Sequence, residues 1–242
     1  MRIIFSRKGF DSAAGGGPSP IVDGAPVSLP IPAGAASTTS YGDLGVGELA
    51  RAASRGKLGA KDLCHHDPMF CDDGNCYFGQ VGAAQSHLAN NGVGPGDVFL
   101  FFGLFAEEAS GERHHRIFGY QRIERIVPLA DCDRKDRHAL LSISHPHALA
   151  MHGRNDAIYI GEGRMARHDH PDLRLTIDGG PLSIWRVPAW LEKAGLTYHG
   201  RAERWATPGK LHAVSRGQEF VADIGEERAP RAWLDKVLNL LA

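Results

Sequence analysis

Cysteine is scarce in this chain: four residues in 242, at Cys64, Cys71, Cys76 and Cys132. That is too few for a disulfide framework at this length, so stability has to come from an apolar core. Their spacing contains no CxxC pair and matches a structural zinc site poorly; small buried apolar roles suit them better. No apolar run is long enough to cross a bilayer. Arg7 and Lys8 interrupt the apolar start Ile3-Ile4-Phe5, which argues against a secretory leader. The expected location is therefore the cytoplasm, with no membrane partner. Charge of one sign is lacking as well: 27 Lys and Arg face 28 Asp and Glu, a net charge of -1. No global field draws the chain to nucleic acid, and any basic patch must be local and offset elsewhere. There is no internal repeat, no long linker and no low-complexity tail.

What the chain has in plenty is glycine (30) and histidine (13), the histidines being spread along it rather than grouped as a tag. The densest stretch is RIIFSRKGFDSAAGGGPSPI, residues 2–21. It begins as a strand that is apolar on both faces, the mark of a strand inside a sheet. Ser6, Arg7, Lys8 and Gly9 fall at the strand's C-terminal end, where α/β-type sheets place ligands. Arg7 and Lys8 can clamp a phosphate or carboxylate, and Gly16 and Gly17 let backbone N–H groups approach an anion. Asp11 offers a general base or a metal ligand; Ser12 offers a donor or a nucleophile. Ser6 and Ser19 complete the candidate substrate-binding set here. The structural alternative is a salt bridge, a cap and a tight turn. The glycine run is neither a Walker loop nor a dinucleotide loop, since it lacks their following residues and spacing.

Further on, His65-His66-Asp67-Pro68 offers a proton-transfer pair or a divalent-metal site, and Asp-Pro also favours a turn. His66 with Asp67 is taken as the catalytic pair. His65 is set aside, because successive side chains of an extended backbone point apart. Gln80 can read an amide-like base edge or cap a helix, and Gln85 joins it as a substrate-binding candidate. In His145-Pro146-His147, Pro146 is expected to keep the backbone extended and the two histidines on one face, half of a metal site. His168-Asp169-His170 has the same spacing in a strongly polar, loop-like setting.

The pattern predicts short helices over Val46–Arg55, Gly82–Leu88 and Arg134–Leu140, and a final amphipathic helix over Arg231–Leu241. Val98–Leu104 and His115–Arg125 read as a strand hairpin. Val27–Pro32 reads as an edge strand, 33–40 as loop, and Cys71–Tyr77 as a polar turn-rich insertion. Ala157–Gly161, Leu173–Ile177 and Leu182–Val187 read as strands. Pro188 opens a helix, and 203–224 mixes loop with strand. These elements make one compact α+β domain over residues 1–242.

The blocks IIFSRKGFDS (3–12), GGGPSPI (15–21), HHDP (65–68), FGQVGAAQSHL (78–88), GVGPGDVFLFFGLF (92–105) and HRIFGYQRI (115–123) together resemble one family. It is the third of the nucleotide modification associated domains, which are regarded as base-modifying enzymes of bacterial and phage contexts. The likeness extends more weakly to HPHAL and NDAIYIG (145–161). It implies action on nucleotides or DNA bases, with nucleotide or DNA as partner and no defined reaction. The pair GDVFLFFGLF and IFGYQRI also looks like two strands of barrel domains that bind modified bases, implying a mixed, partly barrel-like sheet with flanking helices. Three functions stay open at this point: a nucleobase- or nucleotide-modifying enzyme, a non-catalytic base reader, and a hydrolase using Asp11 with His66. The cofactor is undefined, with a divalent metal possible.

Overall fold

Strand β1 (Arg2–Arg7) lies between two neighbours, antiparallel to β11 (Glu219–Asp223) and parallel to β6 (Val98–Glu107). Its apolar alternation explains the position. Ile3 and Phe5 enter one core cluster while Ile4 enters another, so both faces are covered. The computed structural model describes residues 1–33, 37–215 and 219–242. Parts of the expected loop 33–40 and of the mixed segment 203–224 lie outside the described residues.

The remaining strands are β2 (Ser19–Val22), β3 (Ala25–Pro26), β4 (Met69–Phe70), β5 (Asn75–Gln80), β7 (Arg113–Pro128), β8 (Ala157–Met165), β9 (Ile184–Arg186) and β10 (Lys210–His212). The main sheet runs β11-β1-β6-β7-β8-β5-β4, with β2 on β6 and β3 on β2; β9 and β10 pair apart. Among the described strands β1–β6 and β2–β6 pair in parallel and the others antiparallel, so the sheet is mixed. The helices are α1 (Gly47–Ala53), α2 (Gly82–Asn90), α3 (Arg134–Ser142), α4 (Pro146–Leu149), α5 (Ala189–Ala194) and α6 (Arg228–Leu241). The fold is a single α+β domain around a curled half-barrel. The curl can be read from one contact. Strands β11 and β5 are separated by four others in the sheet order, yet Gln80 Nε2 lies 2.7 Å from Glu219 Oε1.

Twist alone does not hold that curl. The concave face is lined by Ile4, Phe78, Phe99, Phe101, Phe118 and Tyr159, and Leu88 of α2 packs among them. Phe78 meets Phe99 and Phe101 edge-on, at 4.9 and 5.3 Å between ring centroids. Each such buried side chain contributes about 1.5–3 kcal/mol, with the aromatic geometry adding specificity. The convex face carries Phe5, Phe102, Trp185 and Phe220 under α5 and α6, whose Leu191, Leu234, Val237 and Leu241 point inward. Among the described residues no helix is long and apolar enough to cross a membrane.

Several expectations are corrected. Val27–Pro32 is not a strand; its residues serve as partners instead, Leu29 accepting from the Phe10 N–H and Pro30 from the Tyr41 hydroxyl. Two prolines without donors cannot sustain a ladder there. The turn-rich insertion is the tip of a hairpin, and β5 follows it through to Gln80. Gln80 thus ends a strand, and α2 starts two residues later. Leu173–Ile177 shrinks to a 3-10 turn ending at Leu173 and single bridges at Arg174 and Thr176. Pro146 opens α4 rather than holding an extended backbone, in keeping with its preference for the first helical turn.

Candidate active site

The C-terminal ends of β1 and β5 open onto one cavity of about 570 Å³. Arg7, Lys8, Gly9 and Asp11 line one wall and His65, Asp67, Gly79, His147 and His152 the other, with Gln80 between them.

On the histidine wall, Asp67 is the organising group. Its Oδ1 accepts from the Gly79 N–H at 3.0 Å and lies 3.6 Å from Nε2 of the fully buried His145. Its Oδ2 faces His65 Nε2 at 3.7 Å and His147 Nε2 at 3.8 Å. Burial opposes the Asp67 charge, but the surrounding imidazoles and polar contacts outweigh it, and the carboxyl sits well below the ordinary carboxylate range. The two histidines of the 145–147 stretch reach this wall through α4. His145 caps it, its Nδ1 accepting from the His147 N–H, which puts the ring proton on Nε2. His147 is fixed from behind: its Nδ1 is 2.5 Å from Asp156 Oδ1, and Asp156 is buried just before β8. Gly79 makes room for this ring, since a Cβ there would stand 2.3 Å from His147 Cδ2. His152 lies beside both, 4.7 Å from the His147 ring and 5.7 Å from the His65 ring.

On the opposite wall most polar groups have internal partners. Lys8 Nζ is 2.9 Å from Glu219 Oε1 and 4.3 Å from the Phe78 ring centre. The same Oε1 accepts from Gln80 Nε2, while Gln80 Oε1 accepts from the Val81 N–H. Arg7 donates to the carbonyls of Ser215 and Val214, and its guanidinium lies over Phe102. Those hydrogen-bond partners are neutral. Burial lowers the Arg7 pKa and the field of Asp11 opposes that shift. Asp11 Oδ1 accepts from the N–H groups of Ala13 and Ala14, shaping the turn.

The chain belongs to the nucleotide modification associated domain 3 family. The family profile matches residues 2–223, nearly the whole chain. No curated protein and no solved structure matches it.

For this domain 3 member, the structure brings together Arg7, Lys8, Asp11, Asp67 and Gln80 from the catalytic and substrate-binding candidates, and His147 from the proposed metal half-site. It does not bring the other catalytic and substrate-binding candidates to the cavity. Ser12 borders an adjoining cavity with Arg7, Asp11 and His115. Ser6 is fully buried on β1, its Oγ without a hydrogen-bond partner among the described residues. Ser19 Oγ accepts from the Leu29 N–H, and Gln85 Oε1 accepts from the Tyr159 hydroxyl. Gly17 is pressed on α1, where a Cβ would stand 2.2 Å from the Ala53 carbonyl oxygen, and Gly16 faces open space at φ +90°. His66 does not line the cavity; it is half-buried, and burial lowers its pKa.

Sequence reasoning offered His145 and His147 only as a separate half of a metal site, set His65 aside, and did not place Asp156 or Glu219 in this arrangement. The signal for His65 was available. On an extended backbone residues i and i+2 share a face, so His65 belongs with Asp67 and His66 with neither. Nothing in the sequence pointed to Glu219, 139 positions from the Gln80 it meets.

Proposed function

We propose that this cavity binds a nucleobase or nucleotide and that the histidine wall modifies it. Membership of the nucleotide modification family supplies the substrate class. One observation carries the enzymatic reading: five charged or imidazole-bearing groups of different kinds, Arg7, Asp11, His65, Asp67 and His147, converge in a single concave site. Its volume lies in the range of small-molecule sites, about 300–1,000 Å³. Arg7 is the anion-holding group, because its hydrogen-bond partners are carbonyls. Lys8 and Gln80, joined through Glu219, form the rigid floor between the two walls. Asp67 and the imidazoles around it form the reacting end.

The alternative of a base reader without catalysis calls for aromatic platforms on which a base stacks. Among the described residues the rings lining the cavity are imidazoles, which also transfer protons and hold metals. That favours chemistry over reading. A net charge of -1 favours a free nucleotide, or a strand delivered by a partner, over unaided binding to duplex DNA. A base within a duplex would first have to be flipped out.

The test is mass spectrometry of nucleosides from the DNA and the nucleotide pool of cells expressing wild type or Asp67→Ala. A modified nucleoside present only with wild type is expected. Wild-type samples with no new nucleoside in either fraction, while both proteins retain labelled DNA, would replace the enzyme with the reader.

A further inference from the structure

We infer that His65, Asp67 and His147 form a binding centre for one divalent first-row transition-metal ion. One ligand atom from each of the three lies within 4.8 Å of the others. Two imidazoles and one carboxylate are the donors such ions favour, and a set of three leaves positions open to water or substrate.

Three details point to a cation rather than to a hydrogen-bonded cluster. First, the Asp67 Oδ2 distances of 3.7 and 3.8 Å to the two Nε2 atoms are too long for hydrogen bonds. A tetrahedral ion about 2.1 Å from each donor spaces donors about 3.4 Å apart, which small side-chain rotations reach. Second, Asp156 Oδ1 accepts from His147 Nδ1–H, and in the neutral ring that leaves the Nε2 lone pair toward Asp67. A metal cation between that lone pair and the carboxylate oxygen turns a repulsion into two coordinate bonds. The Asp156–His147 pairing is also the arrangement by which an outer carboxylate fixes a metal-bound imidazole. Third, the two oxygens of Asp67 are divided in function. Gly79 N–H and the buried, otherwise unpartnered His145 Nε2 lie at Oδ1. That leaves Oδ2 toward His65 and His147.

The ion would sit at the reacting end of the cavity that Arg7 and Gln80 also line. This deepens the proposed function and rests on it for the substrate. Binding of the ion itself is measured without nucleotide, so the two can fail separately.

The experiment uses the full chain, stripped with a chelator and titrated with Co²⁺ and Zn²⁺ under calorimetry, with the visible d–d spectrum of the Co²⁺ form recorded. One ion per chain is expected, with a spectrum of low coordination number. His65→Gln, His147→Gln and Asp67→Asn should each lower affinity at least 100-fold. Asp156→Asn should lower it about 10- to 100-fold with the stoichiometry kept. His66→Gln should bind like wild type. His65 is only half-buried, so its variant keeps the test open if Asp67→Asn fails to fold. Wild-type affinity in folded His65→Gln and His147→Gln, or no binding by the wild-type chain, would overturn the centre. Modified nucleosides made by a chain that binds no metal would leave the enzyme reading standing without it.

Discussion

The two walls of the cavity carry similar numbers of polar groups and dispose of them in opposite ways. On the β1 wall and the floor beside it most groups are satisfied by the protein: Lys8 by Glu219, Gln80 by Glu219 and Val81, Asp11 by two backbone N–H groups. On the histidine wall the Nε2 atoms of His65 and His147 face Asp67 Oδ2 at distances too long for hydrogen bonds. Buried polar groups that pair internally serve the architecture, and those held together unpaired are arranged for something that enters. The wall that looked most reactive in the sequence thus has most of its polar groups engaged with the protein itself. Substitutions on the two walls should therefore fail in different currencies, activity on one and stability on the other.

The largest effect is expected at the centre of the histidine wall. Asp67→Asn keeps the shape and the Oδ1 contact with Gly79 while removing the charge. Modified-nucleoside yield should fall at least about 100-fold. If yield stays within a few-fold of wild type in a folded protein, the chemistry lies elsewhere and the comparison breaks.

Across the cavity the corresponding change is Glu219→Gln. Glu219 is 1% exposed and Lys8 11% exposed at the side chain. The substitution leaves an ammonium enclosed without its counter-charge, at a cost of about 4 kcal/mol. Urea denaturation measures it, and Lys8→Met in the same chain should recover most of the loss. A double variant as unstable as Glu219→Gln alone would show that the pair is not what Glu219 serves.

A histidine behind the β1 wall sharpens the contrast through pH. Burial, and secondarily the neighbouring Arg7, push the His115 pKa down to about 4. In the unfolded chain it titrates near 6.5. The folded value being the lower one, the unfolded chain takes up the proton first as pH falls. The contribution is complete above about pH 6.5 and is lost progressively toward pH 4, by at most about 3 kcal/mol. His115→Asn should flatten the dependence of urea midpoint on pH over that window. Equal slopes for the two proteins would assign acid sensitivity to other groups.

How much of this was legible follows from range in sequence. The strand Arg2–Arg7, the β6–β7 hairpin and the last helix announce themselves by local apolar periodicity, and they form the frame. Strand β5 did not, because Asn75–Gln80 carries no β-branched residue and its Gly79 looks like a breaker. That glycine is there for the His147 ring. The site itself joins residues 7–11, 65–67, 79–81 and 147–152, and only the curl of the sheet makes them neighbours. Adjacency misled at one point: His66 touches Asp67 in sequence, but the extended backbone gives the shared face to His65.

The smallest effect is expected at Gln85, a position the sequence offered as a substrate contact. Its Oε1 accepts from the hydroxyl of Tyr159, which is 1% exposed and packs against Phe78 and Phe99. Gln85→Ala leaves that hydroxyl short of one partner, at a cost of about 1 kcal/mol. Since Gln85 does not line the cavity, nucleoside yield should stay within about twofold of wild type once the protein is folded. Stability is read from the urea midpoint and yield from mass spectrometry of the same preparation. A tenfold loss of yield at unchanged midpoint would place Gln85 in the site after all. It would move the boundary of the reactive wall onto α2, and the division between satisfied and waiting groups would then need a third member.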